Sequence, residues 1–363
     1  MGARTTQGLR PPPPRVAFTL MKTMRAALFH EHGGPEVVRI EEVPVPEPGP
    51  GEVRVAVRAA GLNHLDLWVR RGIPIETTIP HIGGSDLAGV VDAVGEGVEW
   101  APGTRGVADP SLHYGWYDPP APGRRDRGAP LRLIGEHTDG GFAEYCVVPG
   151  ENLMEVPEGV PFETAAAAAL VFVTAWHGLH ARAQVRPGER VLVTGASGGV
   201  ATAAIQIARH AGASVLAVTS GPENVARVRA LGADHVYDRL AEDWVAGVRR
   251  DTEGAGADVI LDSVGGPLWS GMIRSLGVMG RLVSYGATAA PKVEVDLRHV
   301  FWKQLSFLGS TMGTPQEFRT VMGLVLNGTL RPVIQAVLPL TEAREAHELL
   351  EAGRVFGKVV LVP

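Results

Sequence analysis

A glycine-rich segment is the clearest candidate for ligand binding in the sequence. It consists of Gly195, Ala196, Ser197, Gly198, Gly199, Val200 and Ala201, and it follows the apolar run 190–194. Small residues at the start of a helix let the backbone approach a phosphate closely, and the free N–H groups of the first turn attract its charge. The segment is therefore predicted to bind the pyrophosphate of a dinucleotide, rather than to be a simple tight turn.

The residues that follow bear on which dinucleotide is bound. An acidic residue about 20 positions after such a loop marks NAD, because it binds the ribose 2′-hydroxyl. Here the next strand ends at Thr219, Ser220 and Gly221. Hydroxyls with Arg227 or Arg229 nearby suit a 2′-phosphate, so the sequence favours NADP(H) over NAD(H). The arginines could instead form a solvated helix face, and Glu223 keeps NAD(H) open.

Alternating strands and helices must position this loop. Strands buried on both faces are expected at the apolar runs 190–194, 214–218, 236–237, 258–262 and 280–284. Helices are expected at 200–211 and 222–231, which predicts βαβ units and an α/β fold with a doubly wound parallel sheet. Residues 24–150 instead carry many turns and short alternating strands, such as 53–58 and 89–94. A helix at 315–326 and a strand at 358–362 complete the pattern.

Composition excludes several classes of function. The 363 residues are enough for two domains, and 45% of them are hydrophobic. A net charge of −5 gives no global attraction for nucleic acid or anionic lipid, so neither is predicted as a partner. The single cysteine, Cys146, rules out an intrachain disulfide and any four-cysteine metal site, and we expect it to be buried and inert.

The chain carries no segment that is typical of a membrane span or a secretion signal. Residues 164–181 lack formal charge but are mostly alanine, interrupted by threonine, tryptophan and histidine. Residues 1–23 contain a run of four prolines and are predicted to be a loose, disordered extension. The alternative is that the natural chain starts at Met21 or Met24. A cytoplasmic location is expected by default.

Several motifs together resemble the medium-chain dehydrogenase/reductase superfamily over about residues 24–363. They are 61–66 (GLNHLD), 84–89 (GSDLAG), 94–95 (VG), 141–145 (GFAEY), 174–176 (TAW), the glycine-rich segment, 262–266 (DSVGG) and 357–360 (GKVV). The resemblance implies a GroES-like, β-rich catalytic domain over 24–165 and 311–363, with a Rossmann domain over 166–310. The active site is then expected in the cleft between them, and Tyr285 and Gly286 are assigned to the cofactor site with the glycine-rich segment.

The zinc-type alcohol dehydrogenases of this superfamily hold a catalytic zinc with cysteine, histidine and glutamate side chains. The corresponding positions here resemble Asn63, Ser85-Asp86 and Leu170, so a catalytic zinc is not expected. The cysteine-rich structural zinc lobe of that branch corresponds to the cysteine-free loop 111–132. Of His113, Glu136 and His137 near that loop, we expect solvated side chains rather than a metal site.

Asn63 with Asp66 resembles instead the zinc-free quinone oxidoreductase branch. A conjugated carbonyl can accept hydride when hydrogen-bond donors stabilise the charge that develops on its oxygen. Asn63 is the candidate donor. Alternatively, its amide caps the turn at this position. His64 occupies the position of a phosphate-binding cation and could also relay a proton. Asp66 is expected to bond backbone N–H groups of its own loop.

Three further positions carry expectations for the site. Asp86 could act as an acid or base if it is buried without a metal, although a structural aspartate bonded to backbone N–H groups is the more frequent case. Thr174 resembles the family threonine beside the nicotinamide ring; alternatively its hydroxyl bonds its own helical turn. Trp68, Tyr114, Trp116 and Tyr117 could line a flat substrate pocket, or serve in ordinary packing.

These observations favour an NADPH-dependent oxidoreductase that transfers hydride to a quinone or an α,β-unsaturated carbonyl without a metal. An alcohol or aldehyde dehydrogenase with an atypical zinc site, built from Asp86 and nearby histidines, is a second reading. A non-catalytic NADP(H)-binding protein is a third. The resemblance also implies a homodimer or homotetramer, with the strand 281–285 at the position where two Rossmann sheets join edge to edge.

Overall fold

The computed structural model of the chain describes residues 22–75, 77–112 and 131–363. The first strand begins at Thr23, which is inside the predicted extension 1–23. The rest of that extension, to residue 21, lies outside the described residues. So do His113 and three of the aromatic candidates for the substrate pocket, Tyr114, Trp116 and Tyr117.

The first part of the described chain is mostly strand. Its elements are β1 (Thr23–Phe29), β2 (Arg39–Pro44), β3 (Glu52–Gly61), α1 (His64–Arg71), β4 (His81–Ile82), β5 (Asp86–Val94), β6 (Arg105–Ala108), β7 (Tyr145–Pro149) and β8 (Leu153–Glu155). Strands β3 and β5 are antiparallel and carry the alternating pattern that the sequence predicts at 53–58 and 89–94.

The second part alternates strands with helices. Its elements are α2 (Phe162–Trp176), β9 (Arg190–Val193), α3 (Gly199–His210), β10 (Ser214–Thr219), α4 (Pro222–Ala230), β11 (His235–Asp238), α5 (Trp244–Asp251), β12 (Ala257–Asp262), α6 (Trp269–Ser275), β13 (Leu276–Ser284), α7 (Leu297–Lys303) and β14 (Ser306–Gly309). The chain then continues through α8 (Pro315–Leu326), β15 (Ile334–Pro339), α9 (Ala343–Glu351) and β16 (Lys358–Val362).

A six-stranded parallel sheet forms the nucleotide-binding half of the fold. Its strand order is β11-β10-β9-β12-β13-β14, so the order reverses between β9 and β12. In such a sheet the loops after the two central strands leave in opposite directions and open a crevice at their carboxyl ends. The glycine-rich segment follows β9, and Ser263 follows β12, so both lie at this crevice.

The other half of the fold is a seven-stranded sheet that combines strands from the first part of the described chain with the last two strands, β15 and β16. Strands run in the order β15-β16-β3-β5-β6-β8, with β7 also paired to β3, and a separate three-stranded sheet has the order β2-β1-β4. Strand β16 is antiparallel to β3 and pairs Val360 with Gly61. Strand β5 pairs Asp86 with the same Gly61. Residues from three distant parts of the sequence therefore meet at one end of β3.

Helix α2 joins the two halves. It is packed against β3 and β5 of one sheet and against α3 and α8 of the other half. Its residues Ala165 to Ala169 are fully buried, because alanine side chains let the helix approach backbone on every side. The continuous helical stretch Phe162–Arg182 is long and apolar enough to cross a membrane, but 78% of its most apolar part is buried inside the protein. It is therefore a core helix.

The prediction that residues 281–285 form the free edge of the parallel sheet is wrong. They belong largely to β13, which is hydrogen-bonded to β12 on one side and to β14 on the other. Strand β14, and not β13, is the last strand of the parallel sheet as described. The sequence does not reveal this strand because Ser306–Gly309 is only four residues long and largely exposed, without the apolar run of its neighbours.

Candidate active site

A cleft of about 340 Å³ lies between the two halves of the protein. One side, which we call the cofactor wall, is the glycine-rich segment 195–201 with the loops after β12 and β13. The other side, the substrate wall, consists of the start of α1, the middle of α2 and the start of β16. The cofactor wall contributes Gly195, Ser197, Gly198, Gly199, Val200, Ser263, Val264, Tyr285 and Gly286, and the substrate wall Asn63, His64, Trp68, Leu170, Thr174 and Lys358.

The cofactor wall is a turn held by its own backbone. Gly195 adopts a positive φ of 57°, which glycine allows without strain, and the N–H of Gly198 donates to its carbonyl at 2.9 Å. Helix α3 then begins at Gly199, with no side chain capping its first turn. The first N–H groups of an α-helix have no partner within the helix. This arrangement fits the pyrophosphate of a dinucleotide, as the sequence predicts.

The predicted cofactor residues after β10 lie away from the cleft. Thr219 has a buried hydroxyl with no hydrogen-bond partner in the described part of the chain. The guanidinium of Arg227 lies 4.0 Å from the ring centre of Phe356. Sequence reasoning missed Asp238, whose carboxylate accepts from the N–H of Gly221 at 3.1 Å. It lies at the end of the neighbouring strand β11, so inspection of β10 alone could not find it.

A closed network of three polar side chains lies behind the substrate wall. The ammonium of Lys358 donates to Asn63 Oδ1 at 2.6 Å and to Asp86 Oδ2 at 2.9 Å. The amide of Asn63 also donates to Asp86 Oδ2, at 2.9 Å. The other oxygen of Asp86 accepts from the N–H of Leu170 on α2, at 2.7 Å. Asp86 is fully buried and does not reach the cleft, whereas Asn63 and Lys358 line it.

This network exists because of the strand pairing around β3. Gly61 at the end of β3 is opposite Asp86, and the N–H of Leu62 donates to Val359 on β16 at 2.9 Å. Asn63, two residues after the end of β3, therefore lies next to Lys358, the first residue of β16. Sequence reasoning counted 357–360 among the family motifs but did not place Lys358 in the site. A single lysine at the start of the apolar run VVLV was the signal that could have found it.

Asp66 holds the loop that presents Asn63. Its carboxylate accepts from the N–H of Asn63 at 2.7 Å and from the N–H of Gly84 at 3.0 Å, as expected for a structural aspartate. Burial raises the pKa of this carboxyl to about 7, against the opposing effect of the two N–H donors. The start of α1 is thereby tied to Gly84, two residues before the start of β5.

Helix α1 is also anchored at its far end. The fully buried Arg70 donates to Glu351 on α9 at 2.7 Å and to the carbonyl of Gly33 at 3.2 Å. A third contact joins Arg70 Nη1 to His347 Nδ1, at 3.2 Å. Burial, together with the charge of Arg70, lowers the pKa of His347 to about 3, so the ring is neutral and can accept this bond. The helix is therefore fixed at both ends.

His64 and Thr174 line the same cleft as Asn63. Desolvation, with the nearby cations Lys358 and Arg71, lowers the pKa of His64 below its ordinary value and favours the neutral ring. The hydroxyl of Thr174 donates to the carbonyl of Leu170 at 2.7 Å, within its own helical turn. The ring of Trp68 lies 6.5 Å from that of His64 and adds an aromatic surface to the mouth of the cleft.

Outside this cleft, two predictions concern potential metal ligands and the cysteine. Among the described residues no group of three or more histidine, cysteine, aspartate or glutamate side chains could hold a metal ion. The expectation of a solvated side chain is wrong for Glu136, which is buried, with its carboxylate 3.5 Å from the ring of His137. Cys146 is buried, and burial raises the pKa of its thiol to about 12, which agrees with the expected inert role.

Comparison with known proteins places this cleft in a family. The family described as zinc-binding dehydrogenase matches residues 199–327, and the alcohol dehydrogenase GroES-like domain matches residues 49–158. A quinone oxidoreductase of Pseudomonas aeruginosa is 33% identical over 92% of this chain and 98% of its own length. An NAD-dependent alcohol dehydrogenase of Sulfolobus acidocaldarius is 31% identical, over 93% and 99%.

Solved structures agree with the sequence comparison. The crystal structure of an NAD-dependent alcohol dehydrogenase superimposes with a TM-score of 0.87 at 44% identity, covering 94% of this chain and all of that one. The α/β fold with a Rossmann sheet and a GroES-like domain, expected from the sequence, is thus confirmed. The chain is an NAD(P)H-dependent oxidoreductase and belongs to the medium-chain dehydrogenase/reductase superfamily.

Proposed function

We propose that this protein is an NADPH-dependent reductase that transfers hydride to a quinone or an α,β-unsaturated carbonyl without a metal ion. The observation that carries the proposal is the network of Asn63, Asp86 and Lys358. Asn63 and Asp86 stand at positions that resemble zinc ligands of the alcohol dehydrogenases, and Lys358 binds both of them. This donor set does not fit zinc. The carboxylate of Asp86 is already bound to an ammonium, an amide and a backbone N–H, and Leu170 offers no ligand atom.

The residues of the cofactor wall would bind and orient the dinucleotide. The first turn of α3 would hold the pyrophosphate, and Ser263, Tyr285 and Gly286 would flank the rest of the dinucleotide along the cofactor wall. A bound nicotinamide supplies the hydride. The largely apolar side chains around Trp68 and Leu170 would hold a flat substrate against it and exclude water. The polar end of the substrate then lies next to Asn63, Thr174 and Lys358.

The preference for NADP(H) rests on the end of β10. No acidic residue follows Thr219 directly, and Ser220 and Arg227 supply a hydroxyl and a cation. Asp238 is engaged by the N–H groups of Gly221, at 3.1 Å, and Leu240, at 3.0 Å. Its charge is therefore partly compensated. Titration with NADPH and NADH tests the preference: tighter binding of NADH would contradict it.

The experiment that tests the reaction uses protein treated with EDTA and checked for metal content. Loss of NADPH absorbance is followed with a panel of ortho-quinones and enones. Turnover by the metal-free protein supports the proposal. The second candidate, an alcohol or aldehyde dehydrogenase, is favoured by the similarity to proteins of that name. It would replace the first if metal-free protein were inactive and added Zn²⁺ restored alcohol oxidation.

We also propose that the protein is a homodimer that pairs through β14. This strand ends the order of the parallel sheet among the described residues, and a strand edge without a partner invites pairing with a second copy. Beside it, α7 exposes Leu297, Phe301 and Trp302, the last with 82% of its surface in solvent. Such a patch is unusual on a monomer. Sedimentation at micromolar concentration tests this: a monomer would contradict it.

A further inference from the structure

Lys358 has a hydrogen-bond donor that no acceptor in residues 22–75, 77–112 and 131–363 occupies. An ammonium carries three N–H bonds. In the described part of the chain two of them are accounted for, by Asn63 Oδ1 at 2.6 Å and Asp86 Oδ2 at 2.9 Å. Lys358 is only 3% exposed, yet it lines the cleft beside Asn63 and Thr174. A buried cation with one donor left thus faces the space where a substrate would bind.

Asn63 is less suited to contact the substrate than its sequence position suggests. Its amide nitrogen lies 2.9 Å from Asp86 Oδ2 and 3.4 Å from the carbonyl of Gly61, so both hydrogens have acceptors within the protein. Its oxygen accepts from Lys358. The side chain of Asn63 therefore orients the ammonium of Lys358, and the carboxylate of Asp86 does so as well.

The lysine is also fixed from its other end. Gly357 donates its N–H to Ser197 in the glycine-rich segment at 2.8 Å, and a Cβ at Gly199 would lie 3.0 Å from Lys358 Cδ. The aliphatic stem thus passes directly beneath the start of α3. The ammonium lies between the turn that would bind the pyrophosphate and the substrate wall, which places it close to both partners of the reaction.

We propose that Lys358 is the catalytic electrophile of this enzyme, donating its third N–H to the carbonyl oxygen of the substrate, with Asn63 and Asp86 as positioning residues. The inference rests on the proposed reduction of quinones or enones. The C4–H bond of the reduced nicotinamide breaks, and the hydride forms a C–H bond at the β-carbon of the enone. The π electrons of the enone then shift to its carbonyl oxygen. Lys358 stabilises that enolate oxygen, and the α-carbon then takes a proton from water.

The test compares Lys358→Met with the double variant Lys358→Met, Asp86→Asn. The single variant leaves the carboxylate of Asp86 buried without its cation, so it could fail by misfolding. The double variant removes that charge and keeps the shape. For both, kcat/KM is measured on enones and quinones whose reduced oxygens differ in basicity, together with the Kd for NADPH and the Tm.

The expected result is a folded double variant that binds NADPH as the wild type does but has lost about 100-fold or more in kcat/KM on enones. The loss on quinones should be smaller, because their reduced oxygen is a weaker base and needs less stabilisation. Recovery of activity in the double variant, or an equal loss on all acceptors, would show a merely structural lysine. A loss confined to NADPH affinity would make it a phosphate ligand.

The result for the wild type separates this inference from the proposed function. Wild-type protein that reduces no acceptor contradicts the proposed function, and the role of Lys358 in it, before any variant is compared. Wild-type activity that the double variant retains contradicts the role of Lys358 alone.

Discussion

The cofactor wall of the cleft is made of backbone, whereas the substrate wall is made of side chains. In the cofactor wall, seven consecutive residues form a turn and a helix start, and the groups that would bind the ligand are N–H groups. In the substrate wall, Asn63 and Lys358 are held by the buried carboxylate of Asp86. The three residues come from the ends of three separate strands. The first wall should therefore tolerate changes in pH and charge that disturb the second.

The largest expected difference between the two walls is in pH dependence. Burial raises the pKa of Asp66 to about 7, above the 3.8 of an exposed aspartate. Between these values the folded state holds a proton that the unfolded state releases, so the free energy of unfolding falls as pH rises from 4 to 7. The shift of about three units corresponds to a loss of up to about 4 kcal/mol. Above pH 7 both states are ionised, and the dependence ends.

Urea unfolding of wild type and Asp66→Asn at several pH values checks this expectation. Only the difference between the two profiles is interpreted, because other groups titrate in the same range. Asp234→Asn is the matched control, since the pKa of Asp234 is lowered and its contribution is lost as pH falls. Parallel profiles for wild type and Asp66→Asn would contradict the prediction. The Kd for the cofactor should vary little between pH 7 and 8, where a phosphate monoester, with a second pKa of about 6, stays ionised.

The network of Asn63, Asp86 and Lys358 should contribute more to the free energy of unfolding than an exposed ion pair does. Asp86→Ala leaves the ammonium of Lys358 buried with one neutral partner, and the free energy of unfolding should fall by about 3 kcal/mol. Asp86→Asn should cost less, because its amide oxygen can still accept from Leu170. Glu348→Ala, which removes an exposed ion pair on α9, should cost about 0.5 kcal/mol or less. Equal losses for Asp86→Ala and Glu348→Ala would show that the network contributes little.

Cofactor binding at the cofactor wall can be weakened by a substitution that leaves the fold intact. Gly198 is the N-cap of α3 with φ of −75°, and a Cβ there would meet nothing closer than 3.4 Å. Gly198→Asp should therefore preserve or raise the Tm, since aspartate is a favourable N-cap. Its charge and its bond to the first-turn N–H groups should weaken NADPH binding by about 100-fold. Gly198→Ser is the neutral control, and the two variants are compared by fluorescence titration.

The same contrast explains what could be predicted from the sequence. The glycine-rich segment was found because its residues are adjacent, and the strands around it because apolar runs identify buried strands. The elements α3, α4 and α8 begin and end within a residue or so of their predicted positions. Helix α2 was not predicted as a helix, because it is almost uniformly apolar and alanine-rich, without the periodicity of a surface helix.

The substrate wall could be predicted only in part. Asn63 and Asp86 were found through a resemblance, but their partner Lys358 is 295 residues away from Asn63 in the chain. No local pattern reports such a contact, because it depends on the antiparallel pairing of β16 with β3. The error about the sheet edge has a similar cause. Strand β14 is short and exposed, so no apolar run in the sequence indicates that it pairs with β13.

The smallest expected effect concerns Arg227 on α4, which does not line the cleft. Its guanidinium stacks on Phe356 and lies 3.4 Å from Gln335 Oε1, so it is held near the end of β10. If it meets the 2′-phosphate, Arg227→Ala should weaken NADPH binding by about tenfold and leave NADH binding unchanged. Arg229→Ala, on the exposed face of the same helix, is the matched control. An equal loss with both nucleotides would instead mean that Arg227 supports Phe356 and the start of β16. The arginine would then belong with the side-chain network around Lys358 rather than with the cofactor.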